Sequence, residues 1–91
     1  MAAARFVVRG GVQGVGFRYF VRSTARALRV DGWVRNGDDG SVTAVAVGSD
    51  AALAQFERRL RAGPPGARVE TVSRTEPQTV DSLPHPFAIV R

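Results

Sequence analysis

Residues 10–16 constrain this chain more than any other stretch. In Arg9-Gly10-Gly11-Val12-Gln13-Gly14-Val15-Gly16-Phe17-Arg18, four glycines fall within seven residues. The run follows an alternating apolar pattern and precedes a helical one, so a strand must end, turn and hand over to a helix. Glycine accepts positive φ and lets the backbone approach a ligand closely. A loop built this way can aim several N–H groups at one point and form an anion nest. A helix starting at its end adds unpaired N–H groups and the positive end of a dipole. Arg18 stands at the helix entrance with a permanent charge and a planar fork of donors. Together these features read as a seat for a phosphate-sized dianion. The competing reading is a tight turn with a solvated arginine, and the loop alone does not separate the two.

The rest of the chain supplies the frame. Arg5 to Arg9 alternates, with Phe6 and Val8 on one face, and reads as a first strand. From Phe17 to Arg29 the period is helical, with Phe17, Phe20, Val21, Thr24 and Leu28 on one stripe and Arg22, Arg26 and Arg29 off it. Val30 to Asn36 alternates again, Asn36 to Gly40 is dense turn chemistry, and Ser41 to Gly48 resumes as a strand, which makes a hairpin. Ser49 or Asp50 caps a second helix carrying Leu53, Phe56 and Leu60, stopped by Gly63, Pro64 and Pro65. Ala67 to Arg74 reads as a fourth strand, Thr75 to Pro86 as a surface loop, and Phe87 to Arg91 as a last strand. The order β-α-β-β-α-β plus a short C-terminal strand is the α+β, ferredoxin-like split βαβ plan, with two helices on one face of a mainly antiparallel sheet. In that plan the first strand lies between others. The glycine loop then emerges at mid-sheet, where the end of a neighbouring strand can lie beside it. Asn36, closing the second strand, is the polar residue best placed to do so.

Composition narrows the chemistry. Residues 1–91 are expected to form one domain, with no leader or membrane-length segment and a cytoplasmic location. With no cysteine, thiol nucleophiles, disulfides and zinc–thiolate sites are excluded. The net charge is +5 and every basic residue other than the single histidine is arginine. A genome-wide bias toward arginine and alanine accounts for this better than an anionic partner does, and net charge alone does not separate them. Without lysine there is no Walker-type loop. The only close carboxylates, Asp38 and Asp39, lie in the turn, so no metal-ligand cluster is expected.

The run Gly11-Val12-Gln13-Gly14-Val15-Gly16-Phe17-Arg18 resembles the first signature of the acylphosphatase family. Gly32-Trp33-Val34-Arg35-Asn36, then Gly40-Ser41-Val42, then Gly48, resembles the second, at the right separation. The resemblance spans about Arg5 to Val90. It implies metal-free, cofactor-free hydrolysis of the carboxyl–phosphate anhydride of acyl phosphates, giving carboxylate and inorganic phosphate. By the family pattern Arg18 matches the substrate-binding arginine and Asn36 the water-positioning asparagine. Val12, Gln13, Gly14, Val15, Gly16 and Phe17 match the phosphate cradle. One departure is Gly37, which follows Asn36 where bulkier residues are common and predicts a looser water site.

The residues support that chemistry on their own. A carboxylate leaving group departs without protonation, so no general acid is needed. His85, between Pro84 and Pro86, reads as a surface-loop residue. Phosphoryl transfer is catalysed by positioning and by stabilising charge on the equatorial oxygens. Arg18 can hold two of those oxygens bidentately and the loop N–H groups the third. The Asn36 side-chain carbonyl can accept a hydrogen bond from the attacking water. Gln13 is expected to contribute its backbone, with a solvated side chain, and Trp33 to pack on the sheet. A nucleic-acid module shares the fold, but such modules stack bases on sheet aromatics, and Thr43-Ala44-Val45-Ala46-Val47 presents none. A catalytically silent ligand-binding domain is the third reading, and the presence of both Arg18 and Asn36 argues against it. The expected partners are therefore an acyl phosphate and inorganic phosphate as product and inhibitor. No nucleic acid, membrane or cofactor is expected, and the chain is expected to act as a monomer.

Overall fold

In the computed structural model, which describes residues 1–77 and 83–90, five strands and two helices follow one another in the expected order. They are β1 (Ala2–Gly11), α1 (Phe17–Ala27), β2 (Asp31–Asn36), β3 (Val42–Gly48), α2 (Asp50–Ala62), β4 (Arg68–Thr75) and β5 (Ala88–Ile89). The sheet order is β4-β1-β3-β2-β5. All pairings are antiparallel except β2 with β5, which is parallel. Each βαβ half is split by a strand of the other: β3 lies between β1 and β2, and β1 between β3 and β4. The expected plan is thus the observed one. One detail differs: β2 is not the immediate neighbour of β1, so the end of β2 faces the glycine loop across β3.

Alternation in β1 sends Ala4, Phe6 and Val8 inward while Arg5 and Val7 are half-buried and Arg9 is exposed. The inward residues meet Phe17, Val21 and Ala25 of α1, Leu53, Phe56 and Leu60 of α2, and Phe87 before β5 in one core. Both helices therefore cover the same sheet face. Phe56 is the hub, edge-on to Phe6 at 5.5 Å and to Phe87 at 5.9 Å between ring centroids.

Two boundaries and one strand interior depart from the pattern reading. Helix α1 stops at Ala27, short of Arg29, because the chain turns there through a left-handed residue. Arg29 has φ 59, its N–H donates to Arg26 O, and Val30 N–H donates to Ala25 O at 2.8 Å. That is a Schellman stop with arginine where glycine is usual. In β4, Val69 and Val72 are three apart, which strict alternation would put on opposite faces. Register jumps between Arg9↔Thr71 and Gly10↔Val69, so Glu70 is an extra residue, and both valines reach the core. Gly10, with φ 132, sits at this bulge, and a Cβ there would lie 2.1 Å from Arg68 O. Finally, β5 is Ala88–Ile89, without the expected Phe87 and Val90, and the expected Arg91 lies outside the described residues. Of the expected Thr75–Pro86 loop, residues 78–82 lie outside the described residues, and Pro84 O accepts the Gly32 N–H at 3.0 Å.

Candidate active site

The glycine run leaves β1 at Gly11 and enters α1 at Phe17. Gly16 is the helix N-cap with φ 75, and Gly14 has φ 76; both need the left-handed region that glycine reaches without cost. No side chain caps this helix and its first turn contains no acid. The first backbone donor of the helix is Phe20 N–H, to Gly16 O at 3.1 Å. Among the described residues, no backbone carbonyl accepts from the N–H groups of Gln13 through Tyr19. A consecutive run of donors at a helix N-terminus, with no backbone acceptor, is an arrangement that favours negative charge. Helix α2 shows the contrast: Ser49 Oγ accepts from Ala52 N–H at 3.0 Å and Asp50 sits in its first turn. There the positive end is already answered; at α1 it is left open.

Val12, Gly14, Gly16, Phe17, Arg18, Tyr19 and Asn36 line one cleft of about 210 Å³ over this run. It is large enough for a phosphate group, and it brings Arg18 of α1 and Asn36 of β2 to a single space. Arg18 is half-buried, and its guanidinium has no ion-pair partner among the described residues. The residues expected to form a phosphate cradle differ in what they offer. Val12 is buried and its N–H is already given to Gly10 O at 3.0 Å, so it serves as wall and not as donor. Phe17 anchors the helix start in the core, and Gly14 and Gly16 open the floor. Val15 and Tyr19 are exposed large apolar side chains, Tyr19 at the cleft and Val15 in the loop beside it.

The Gln13 side chain departs from expectation. It is not free in solvent: Nε2 donates to Gly37 O and to Ser41 O, both at 2.8 Å. These partners lie far along the chain, and no local pattern points to them. Gly37, expected to loosen the water site, sits in a closely bonded turn. Its N–H donates to Ser41 O at 2.7 Å, its carbonyl accepts from Gln13 and from Gly40 N–H, and a Cβ there would lie 2.7 Å from Ser41 Oγ. The turn is tied further by Asp39, whose Oδ1 accepts from Ser41 N–H and Oγ and whose Oδ2 accepts from Arg9 at 2.8 Å. These bonds, the Ser41 hydroxyl first and then Arg9, hold the Asp39 carboxyl well below the usual carboxylate range.

His85 and Trp33 lie away from the cleft. The exposed His85 has Nδ1 2.7 Å from Asp31 Oδ1 at the start of β2. Trp33 lies on the sheet with the Arg35 guanidinium 5.2 Å from its ring centre. A larger hollow of about 360 Å³ sits near Arg26, Arg29 and Phe87, at the C-terminal end of α1, where the helix dipole disfavours an anion. Among the described residues, no three His, Asp or Glu side chains gather as a metal site requires. No helix among them is long and apolar enough to cross a membrane.

Residues 4–89 match the acylphosphatase family. The chain belongs to that family. An acylphosphatase of Rhizobium etli is 47% identical over 87 residues, which is 96% of this chain and 92% of that protein. The acylphosphatase of Bacillus subtilis is 42% identical over 90 residues, covering 99% of this chain and 98% of its own length. The crystal structure of acylphosphatase from Bacillus subtilis superposes over 100% of both chains with a TM-score of 0.93. The acylphosphatase fold is thus shared from end to end.

Proposed function

We propose that this acylphosphatase-family chain hydrolyses acyl phosphates by in-line attack of water on a phosphoryl group seated in the Arg18–Asn36 cleft. The observation that carries the reading is the run of N–H groups from Gln13 to Tyr19 that, among the described residues, no backbone carbonyl accepts, at the cleft that Gly14, Gly16, Arg18 and Asn36 line. Three equatorial oxygens require donors in a fixed array. Backbone N–H groups and a bidentate guanidinium supply it without reorganisation during the reaction.

Water enters opposite the leaving carboxylate. The Asn36 side-chain carbonyl accepts one of its hydrogens and aims its lone pair at phosphorus. The oxygen–phosphorus bond to water forms as the phosphorus–oxygen bond to the acyl group breaks. The acyl oxygen leaves as a carboxylate and the water proton passes to the phosphate product. A carboxylate is a good leaving group, so the exposed His85 is not needed as an acid.

The test is hydrolysis of benzoyl phosphate against a phosphomonoester such as p-nitrophenyl phosphate, each with and without chelator. The reading predicts turnover of benzoyl phosphate alone, at a rate that chelator leaves unchanged. No turnover of benzoyl phosphate, or a rate lost to chelator and restored by magnesium, refutes it.

A further inference from the structure

We infer that Gln13 is a positioning residue that fixes Asn36 against the phosphate loop. The inference rests on the water-holding role of Asn36 argued above. Gln13 belongs to the loop itself. Its amide has two donor hydrogens, and the nitrogen that carries them lies 2.8 Å from both Gly37 O and Ser41 O. Gly37 directly follows Asn36, and Ser41 directly precedes β3. The same two residues are joined to each other by the Gly37 N–H to Ser41 O bond of 2.7 Å. Gln13 therefore fastens the closed neck of the β2–β3 hairpin to the loop that seats phosphate.

The topology makes this fastening matter. The ladders carry Asn36 only as far as β1, through Val42, which pairs with both Asn36 and Val8; the loop that leaves β1 after Gly11 lies outside them, so its own distance from the end of β2 is left to contacts such as this one. The Arg9–Asp39 pair also crosses this gap, but both side chains are more than half exposed, and such surface pairs contribute little. The Gln13 contact to Ser41 O is partly buried. Since a misplacement of about 1 Å can cost roughly 10²-fold in rate, a link of this kind acts on turnover. It leaves the grip on phosphate, made by Arg18 and the loop N–H groups, in place.

Two replacements isolate the link. Gln13→Met keeps the length and removes both donors. Gln13→Glu turns acceptors toward two carbonyl oxygens, and its protonated form regains one donor. Turnover number and phosphate inhibition constant are measured for the wild type, both variants, Asn36→Ala and the Gln13→Met/Asn36→Ala double variant. Gln13→Met should lower turnover by about 10- to 100-fold with the phosphate constant within about three-fold. The double variant should be no slower than Asn36→Ala, because the link then has nothing to position. Gln13→Glu should regain turnover, relative to wild type, as pH falls through its carboxyl pKa, which the two facing carbonyl oxygens raise above the ordinary glutamate value. The inference is overturned by multiplying losses in the double variant, or by a phosphate constant that rises as far as turnover falls. Wild-type turnover in Gln13→Met beside an impaired Asn36→Ala overturns it alone. A fully active Asn36→Ala overturns the role of Asn36 and this inference with it.

Discussion

Two glycines bracketing the loop should respond to alanine to very different extents. At Gly16 (φ 75) an added Cβ meets nothing within 4 Å, so the only cost is left-handed strain. That strain is about 1–2 kcal/mol, offset by about 0.4–1 kcal/mol because alanine has fewer unfolded conformations to lose. Gly16→Ala should therefore fold and lose about 1 kcal/mol, or about 4–8 °C in Tm for a chain of this size. At Gly10 the same Cβ would lie 2.1 Å from Arg68 O and 2.8 Å from Glu70 N, both backbone atoms. Relief there requires β1 and β4 to part at the bulge, so Gly10→Ala should lose several times as much. The assays are urea unfolding and the phosphate inhibition constant. Gly16 also aims the free N–H groups, so strain relieved by rotation should weaken phosphate several-fold. The reasoning fails if Gly16→Ala is as destabilising as Gly10→Ala, or if it leaves phosphate binding untouched.

Other outcomes follow from specific contacts. Turnover should be nearly flat from about pH 5 to 8, because no group assigned to the chemistry titrates there, and His85→Ala should remain active. A bell-shaped profile abolished by His85→Ala would refute this. Asp39 and Glu57 both have lowered carboxyl pKa values, Asp39 chiefly through Ser41 and Glu57 chiefly through Arg61. A lowered folded pKa stabilises above the unfolded value, about 3.9–4.3, and is lost as pH falls through the folded one. Their contribution should therefore be constant at neutral pH and fade only in acid, which urea midpoints at pH 6 and pH 3 would show. Ser49→Ala removes the side-chain acceptor of Ala52 N–H and should cost about 1 kcal/mol, with phosphate affinity unchanged.

What the sequence disclosed was what local period and turn chemistry encode. The stripe from Phe17 to Leu28, the alternation of β1 and the Ser49 cap each needed only neighbours along the chain. So did the glycine loop, and with it Arg18. Three features were hidden for a shared reason. The β4 bulge depends on the register with β1, the left-handed Arg29 uses a residue type that usually avoids that conformation, and Gln13 reaches carbonyls 24 and 28 positions away. Each is decided by tertiary geometry. Asn36 lay between these cases: its type and strand-end position were visible, but the cleft it shares with Arg18 required the sheet order.

The central claim is a division of labour, with Arg18 holding phosphate and Asn36 holding only water. The direct test is the phosphate inhibition constant measured beside the turnover number for Arg18→Ala and Asn36→Ala. Arg18→Ala should abolish phosphate competition and reduce turnover by about 10³-fold or more, and Arg18→Lys should not rescue, because a point charge cannot replace a bidentate fork. Asn36→Ala should keep phosphate affinity within a few-fold while turnover falls by about 10²–10³-fold. A phosphate constant weakened as severely by Asn36→Ala as by Arg18→Ala would make Asn36 a phosphate ligand and contradict the account.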